Sequence, residues 1–254
     1  MSRLTVAFYD SGAVCFEDSV VTDSGVAAPS RSAILPAFFA LARRSIEWLG
    51  TSARKLRATE APCLFGNLQC SEAIGTVADL AKRIETRHPL RLESPFEGCD
   101  TIAGGLWSGR GVLGLNTDDA LAHLQFDAGT VELPIHLHEH SDRFIVVEDG
   151  EGIYHYAPGT IDSFDGTGVI SVPVRPGDVI LFLRNVLHTF SAAARPLRLL
   201  SYHAPQIDFD DPRQYTLPKF LWYPSGHIAS SCVPPIASVE SSGRYPHNAV
   251  IPIA

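Results

Sequence analysis

The sequence lacks the features of secreted and membrane proteins. It has five cysteines, and no two of them are spaced as CxxC. Scattered cysteines in odd number are typical of small buried side chains in a reducing compartment, not of a disulfide framework. No apolar run has the length of a membrane-spanning helix, and the first residues lack a basic region followed by an apolar core. We therefore expect a soluble, cytoplasmic protein that contacts no membrane.

Excess positive charge is also missing. The formal net charge of −8 gives a nucleic acid no general electrostatic reason to bind. Neither the GxxxxGK[ST] loop of nucleotide-binding proteins nor the GxSxG motif of serine hydrolases occurs. Residues 109–114 satisfy GxGxxG, but the sequence after them favours a turn and a strand over the helix that a dinucleotide loop opens. We interpret them as part of a glycine-rich hairpin.

The N-terminal part of the chain is expected to form a hairpin and two helices. Residues 1–20 place two apolar strand-like segments around a turn, as a hairpin does. A first helix is predicted to begin at Ser30 or Ser32 and to end at Gly50, because glycine is common just past a helix C terminus. A second helix is predicted over residues 71–87. The first helix has a core-facing apolar stripe, formed by Phe38, Leu41, Ile46 and Leu49.

The sequence pattern changes after residue 100. Residues 101–205 are short apolar segments separated by glycine and aspartate turns, at the spacing of an all-β sandwich or barrel. Residues 206–254 are proline-rich but too apolar for a disordered tail. No low-complexity linker separates residues 1–100 from the strands. We therefore predict that the hairpin and helices pack on a barrel, and that residues 206–254 wrap it or a neighbouring subunit.

Alternating histidines dominate the middle of the chain. His136, His138 and His140 stand just before an apolar run, and alternate side chains of an extended strand share one face. Two such imidazoles can bind the same metal ion, and neutral imidazole is the commonest metal ligand in proteins. The best distant partner is His188. The other histidines in predicted strands are interpreted as satisfied interior residues: His123, His155 and His203.

These segments resemble the two motifs of the cupin superfamily. In the first motif, Gly-x5-His-x-His-x3–4-Glu-x6-Gly, His136 and His138 take the paired histidines and Gly150 takes the closing glycine. With four residues after His138 the Glu position falls on Arg143, and with three it falls on Asp142. The resemblance covers residues 101–205.

The second cupin motif, Gly-x5-Pro-x-Gly-x2-His, is matched by spacing. Gly177 and His188 stand at its two ends, and Asp178 follows the first glycine. Leu183 and Asn185 replace the family's proline and glycine.

The resemblance implies a fold and a metal site. The fold is all-β, a cupin jelly-roll β-barrel of two antiparallel sheets with an N-terminal helical extension and a C-terminal wrapping segment. The implied ligands of a divalent metal ion are His136, His138 and His188, with Asp142 as the fourth. Iron(II) is favoured, and zinc, manganese and nickel also suit imidazole-rich sites. Cupins of this kind are commonly homodimers.

The fourth position leaves three alternatives open. Asp142 would complete an ordinary cage of three nitrogens and one oxygen, and His140 is a further substitute. Arg143 would instead raise the cost of binding a dication and hold an anionic substrate group with its guanidinium fork. A surface ion pair is the alternative interpretation of Arg143.

Three functions follow from the resemblance. The leading one is a mononuclear non-haem iron(II) dioxygenase acting on a small organic acid or aromatic. The second is a metal-dependent isomerase or lyase acting on a sugar or keto-acid. The third is a small-molecule-binding cupin without catalysis, in which Arg143 anchors the ligand.

Overall fold

The computed structural model describes most of the chain between the first N-terminal strand and residue 230. The ranges it describes are 3–8, 16–19, 31–55, 62–68, 107–114, 118–208, 211, 213–226 and 228–230. The predicted second helix, residues 71–87, lies outside them. So do all the cysteines except Cys63, which is a free thiol.

Strands make up most of the regular structure in these ranges, together with one helix of 25 residues. In chain order the elements are β1 (Arg3–Phe8), β2 (Phe16–Ser19), α1 (Arg31–Lys55), β3 (Cys63–Leu68), β4 (Trp107–Gly114), β5 (Ala120–Phe126), β6 (Asp142–Gly150), β7 (Gly152–Ala157), β8 (Ile170–Val174), β9 (Asp178–Phe182), β10 (Leu187–Ser191), β11 (Leu197–Ala204), β12 (Phe220–Trp222) and β13 (Ile228–Ser230).

Eleven of the thirteen described strands form two facing antiparallel sheets, and β12 pairs with β13 in a separate two-stranded sheet. The large sheet has eight strands in the order β2-β1-β3-β9-β6-β11-β5-β4, and the small sheet has the order β10-β7-β8. Side chains from both sheets share one apolar cluster, as Tyr154 of β7 does with Phe182 of β9, their ring centroids 5.9 Å apart. The predicted all-β, cupin-type jelly-roll is confirmed by this arrangement, although the sheets do not close into a complete barrel.

The central strands of the large sheet are buried on both faces. Successive residues of a strand point to opposite faces, so Phe144 and Val146 of β6 join helix α1 in one cluster while Ile145 and Val147 join the cluster between the sheets. Runs of apolar residues without polar alternation are typical of such strands. The helix stripe predicted from Phe38, Leu41, Ile46 and Leu49 is confirmed as part of the first cluster.

The N-terminal hairpin is confirmed, and it is part of the large sheet. Strand β1 pairs with β2 on one side and with β3 on the other, and β3 pairs with β9. The prediction that the first helix ends at Gly50 is wrong, since α1 continues to Lys55. A glycine inside a helix costs only about 1 kcal/mol relative to alanine, and Arg54 and Lys55 suit the negative end of the helix dipole.

The glycine-rich stretch and part of the C-terminal stretch both have defined places in the fold. Residues 109–114 lie in β4, which pairs antiparallel with β5, so the glycine-rich stretch belongs to a hairpin and opens no helix. Part of the C-terminal stretch packs on the strands, since Leu221 and Tyr223 lie in the cluster between the sheets. The boundaries at residues 100 and 205 stay a prediction. The one helix among the described ranges is not apolar enough over a sufficient length to cross a bilayer.

Candidate metal centre

His136 and His188 are brought together by backbone pairing. The two residues lie directly opposite each other in an antiparallel bridge at the edge of the small sheet. The His136 amide donates to the His188 carbonyl at 3.0 Å, and the His188 amide donates back at 2.7 Å. This pair of hydrogen bonds fixes the register, so both imidazoles project on the same side of the small sheet.

His138 is fixed by the turn between β9 and β10. The amide of Asn185 in that turn donates to the His138 carbonyl at 2.9 Å. Asn185 has a φ of 71°, in the left-handed region that asparagine tolerates better than most residues. It therefore supplies the backbone shape expected of the glycine that it replaces in the second motif.

The three imidazoles meet in the space between the sheets. Their ring centroids are 5.3 Å apart for His136 and His138, 4.8 Å for His136 and His188, and 5.1 Å for His138 and His188. One nitrogen from each ring lies within 4.8 Å of the other two, and all three residues are buried. Among the described residues, this is the one group of histidines, cysteines and carboxylates close enough to hold a metal ion.

Each imidazole is held in the tautomer that a metal ligand needs. The Nδ1 atom lies 2.9 Å from the Pro134 carbonyl in His136, 2.6 Å from that of Gln214 in His138, and 2.9 Å from that of Val186 in His188. Because a carbonyl only accepts, each Nδ1 carries the proton and each Nε2 keeps its lone pair. Backbone partners of this kind orient the histidine ligands of metal sites.

Burial keeps these three rings neutral. It lowers the pKa of His136 to about 4, and lowers the pKa of His138 and His188 well below the usual value. The nearby charge of Arg143 lowers the pKa of all three further. At neutral pH the centre therefore presents three uncharged nitrogen donors.

The nitrogen donors face a small cavity of about 50 Å³. Its walls between the sheets are apolar side chains, including Ile145, Phe182 and Phe190. Its polar lining contains no carboxylate. Apart from the three imidazoles, it consists of Arg143, Ser201, His203, Gln214 and Tyr215.

Arg143 is the charged residue of this cavity, and only 2% of it is exposed. Its Nη1 donates to the Ser141 hydroxyl and, at 3.3 Å, to the Asp142 carbonyl. Its Nη2 has no hydrogen-bond partner among the residues that the structure describes. Burial lowers the Arg143 pKa to about 9, so the guanidinium is still charged at neutral pH. An unsatisfied buried charge is costly, which makes a role for it in ligand binding the natural explanation.

Asp142, predicted as the fourth metal ligand, does not join the three imidazoles, and its ligand role stays a prediction. As neighbours on a strand, Asp142 and Arg143 point to opposite sides, and Arg143 takes the side of the cavity. The Asp142 carboxylate binds Arg184 instead, with 2.9 Å between Oδ2 and Nη2 and 2.7 Å between Oδ1 and the Arg184 amide. Of the two residues, it is Arg143 that faces the cavity. This is the residue that falls on the Glu position of the first motif when four residues are counted after His138.

The remaining described histidines fall into three groups, which are exposed, interior and cavity-lining. His140 is exposed, so it does not join the three buried imidazoles. His123 binds Glu148 at 2.6 Å, and His155 lies between two serine hydroxyls, as expected of satisfied interior residues. His203 departs from that expectation because it lines the cavity. It pairs with Arg143 across β11 and β6, so the two share a face.

Two cavity residues from the C-terminal stretch were missed by sequence reasoning. The ring of Tyr215 lies 5.3 Å from His136 and 5.4 Å from His138, and Gln214 holds His138 through its carbonyl. They reach the site because Thr216 bridges to Leu137, beside the histidines. Neither residue belongs to a motif. The apolar character of residues 206–254 was the one signal that this stretch packs on the strands.

A divalent transition metal fits this donor set. Three neutral imidazoles with open positions beside them are typical of catalytic rather than closed structural sites. Two ligands on an ion with bonds of about 2.1 Å lie roughly 3 Å apart, so the rings would draw closer on binding. The buried guanidinium opposes a dication, and this opposition bears on what binds with the metal.

Comparisons with known proteins give limited similarity. No protein-family model matches the sequence, and no curated protein matches it. KdgF from Halomonas sp. is a solved structure that matches with 19% identity over 41% of this chain and 83% of its own, at a TM-score of 0.32. A cupin 2 conserved barrel domain protein from Rhodopseudomonas palustris matches with 18% identity over 44% of this chain and 66% of its own, at a TM-score of 0.33.

A larger enzyme also matches in part. Oxalate decarboxylase from Lactobacillus farciminis, solved as a formate complex, has 15% identity over 35% of this chain, at a TM-score of 0.29. This chain spans only 25% of that protein's length. Similarities of this size say nothing about the reaction of the present protein. Its architecture of two facing antiparallel sheets is seen in the order of its own strands.

Proposed function

We propose that the protein is a metal-dependent enzyme with a mononuclear centre held by His136, His138 and His188. The observation that carries this proposal is the convergence of three buried Nε2 lone pairs, each ring fixed by a carbonyl on its Nδ1. Packing alone does not require three neutral imidazoles to face one cavity with their unprotonated nitrogens.

The substrate proposed is a small organic acid. Among the described residues, the Nη2 of Arg143 has no hydrogen-bond partner and no carboxylate lines the cavity, so an anionic group of the substrate is its best partner. The cavity of about 50 Å³ is well below the roughly 150 Å³ of an engineered cavity that takes up benzene. Size therefore favours a small acid over an aromatic compound.

Iron(II) is the metal proposed, and a dioxygenase is the enzyme class proposed with it. When bound, such an ion would supply redox chemistry with molecular oxygen, for which open positions beside the three imidazoles leave room. The chain's own residues orient the substrate and exclude water from it. Arg143 holds the acid group, Phe182 and Phe190 exclude water, and burial raises the pKa of Tyr215 so that its phenol stays protonated.

Metal content followed by oxygen uptake tests this proposal. Protein purified without chelators, or reconstituted with iron(II) in the absence of air, is expected to hold about one ion per chain. The iron-loaded protein is then expected to consume oxygen with at least one of a panel of small organic acids. Stoichiometric metal without oxygen uptake would favour the isomerase or lyase, in which the ion acts as a Lewis acid.

A non-catalytic anion-binding cupin is the second candidate. One observation favours it: the charge of Arg143 stands where the family has a metal-binding glutamate, and this charge alone opposes a dication. No transition metal after reconstitution, with a carboxylate bound by the metal-free protein, would support this candidate over the enzyme.

A further inference from the structure

We propose that the metal ion and a small carboxylate bind this cavity as a cooperative pair, each raising the affinity of the other by about tenfold or more. The inference rests on the proposed metal centre and adds the class of ligand that must accompany the metal. It follows from the charge, the polar atoms and the size of the cavity.

Among the described residues, no carboxylate forms a hydrogen bond or an ion pair with Arg143, whose partners are the Ser141 hydroxyl and the Asp142 carbonyl. The nearest acidic neighbour in sequence, Asp142, is engaged by Arg184. On the same strand Glu148 is engaged by His123. Among the residues that line the cavity there is no carboxylate at all. The guanidinium therefore stays a net positive charge between the sheets.

A divalent ion bound by three neutral imidazoles adds two further positive charges to the same small space. In a buried site these charges repel strongly, because little water screens them. In the cupin motif a glutamate at the position of Arg143 would offset part of the ion's charge. Here the offset has to come from a ligand, and an anion that lies between the ion and Arg143 interacts favourably with both.

Two buried polar atoms mark the place of that anion. Within the described part of the chain, neither the Nη2 of Arg143 nor the hydroxyl oxygen of Ser201 has a hydrogen-bond partner. Arg143 lies opposite His203 on β11, and Ser201 lies two residues before His203. Both side chains therefore point from neighbouring strands to the same face of the large sheet, where they line the cavity. A carboxylate accepts hydrogen bonds on both oxygens, so it satisfies both donors at once.

The size of the cavity limits the anion to a few heavy atoms. A volume of about 50 Å³ holds a few water-sized groups, each of which needs roughly 10–15 Å³ by this measure. Formate, acetate and glycolate are of this size. Benzoate carries the same carboxylate on a ring that exceeds it.

The experiment measures cobalt(II) binding to metal-free wild-type protein by equilibrium dialysis, with and without saturating sodium acetate. Both samples are buffered with HEPES, because its anion is too large for the cavity. Sodium benzoate at the same concentration controls for ionic strength and for weak binding of cobalt by carboxylates in solution. Acetate is expected to lower the dissociation constant of cobalt about tenfold or more, and benzoate to leave it within about twofold.

Reciprocity provides a second measurement. Acetate binding followed by calorimetry is expected to tighten by the same factor when cobalt is bound, because a coupling between two ligands is equal in both directions. The visible spectrum of bound cobalt is expected to change on adding acetate and not on adding benzoate. Neither readout depends on enzyme activity.

Two matched variants locate the coupling. Arg143→Gln is expected to bind cobalt more tightly than the wild type in the absence of acetate, and to lose the effect of acetate. Arg198→Gln removes the same charge from a half-buried position on the adjacent strand, where Arg198 pairs with Asp149 away from the cavity. It is expected to keep the wild-type coupling. If Arg143→Gln does not fold, the acetate dependence of the wild type decides by itself.

The outcomes separate this inference from the proposed metal centre. Equal cobalt affinity with and without acetate overturns the coupling and leaves the metal centre standing. Acetate binding that cobalt does not change has the same meaning, and shows an anion site that is independent of the metal. No stoichiometric cobalt under either condition overturns both proposals.

Discussion

The two faces of the large sheet are made by the same strands and serve different ends. On the face covered by helix α1, the buried cluster is apolar throughout, with Phe144, Leu181 and Tyr202 among its members. On the face that looks to the small sheet, an apolar cluster surrounds a patch of imidazoles and a guanidinium. The packing of helix α1 stabilises one face of the sheet. This stabilisation can offset the free-energy cost of burying polar groups on the other face.

This separation runs residue by residue along β6. Phe144 lies between Arg143 and Ile145, and it points to the helix while they point to the cavity. Because side chains of a strand alternate, one substitution can change one face and leave the other intact. Stability and ligand binding are therefore expected to be separable by mutation.

The largest effect is expected on the cavity side. His136→Ala and His188→Ala each remove one of the three nitrogen donors, and metal retention is expected to be abolished, a loss of more than about 100-fold in affinity. His140→Ala, which alters an exposed ring two residues beyond His138, is expected to keep the wild-type metal content. Elemental analysis of the purified variants measures this. Unchanged metal in the first two variants would refute the ligand assignment.

The next effect concerns the helix side. Phe144 is fully buried, and its ring packs edge-on against Phe38 of α1, with 5.9 Å between centroids. Phe144→Ala leaves a cavity there and is expected to lower the free energy of unfolding by about 3–5 kcal/mol. Urea denaturation followed by circular dichroism measures it. The metal content of the folded fraction is expected to stay at the wild-type value.

An exposed position supplies the control for Phe144→Ala. Ile170 is 43% exposed, and Ile170→Ala is expected to change the free energy of unfolding by no more than about 0.5 kcal/mol. A loss of metal in folded Phe144→Ala would mean that the two faces of the sheet are coupled.

A smaller effect is expected from pH, at a histidine away from the cavity. Burial lowers the pKa of His155 to about 4, against about 6.5 in an unfolded chain. Between these values the unfolded state binds more protons, so acidification favours unfolding. The stability linked to His155 is therefore fully present above pH 6.5 and is lost as the pH falls toward 4.

The variant His155→Gln tests this linkage, because glutamine can hydrogen-bond to the flanking serines without taking up a proton. Its free energy of unfolding is expected to fall less than that of the wild type over this range, by about 2 kcal/mol. The estimate is below the full value since Ser171, beside the ring, is exposed. Urea denaturation of both metal-free proteins across the pH range measures the difference. Parallel profiles would contradict the prediction.

The architecture and the three histidines could be predicted because their signals are local. Strands show as short apolar segments between turns, and His136 and His138 share a face wherever the chain is extended. Asn185 shows how a motif survives with another residue: its left-handed φ reproduces what the family's glycine would supply. The apolar stripe of the first helix was predictable from its spacing, but the end of that helix was not, since Gly50 is also compatible with a helix interior.

The rest of the cavity depends on contacts between distant parts of the chain. Tyr215 and Gln214 reach it through the bridge between Leu137 and Thr216, which no local pattern indicates. The choice between Asp142 and Arg143 depended on a register shift of one residue, and such a shift reverses the side to which every side chain of a strand points. Sequence reasoning could state this choice but not decide it.

The smallest effect is expected at the residue next to Arg143. Asp142 holds Arg184, whose side chain is 46% exposed, and the pair lies away from the cavity. Asp142→Asn keeps the shape and can still accept from the Arg184 amide. The free energy of unfolding is expected to fall by only about 1 kcal/mol, because partly exposed ion pairs contribute little. Metal content is expected to stay at one ion per chain, whereas removal of a true fourth ligand would reduce it. Loss of metal in Asp142→Asn would show that the carboxylate turns inward when the ion binds, and that the two neighbouring residues exchange roles.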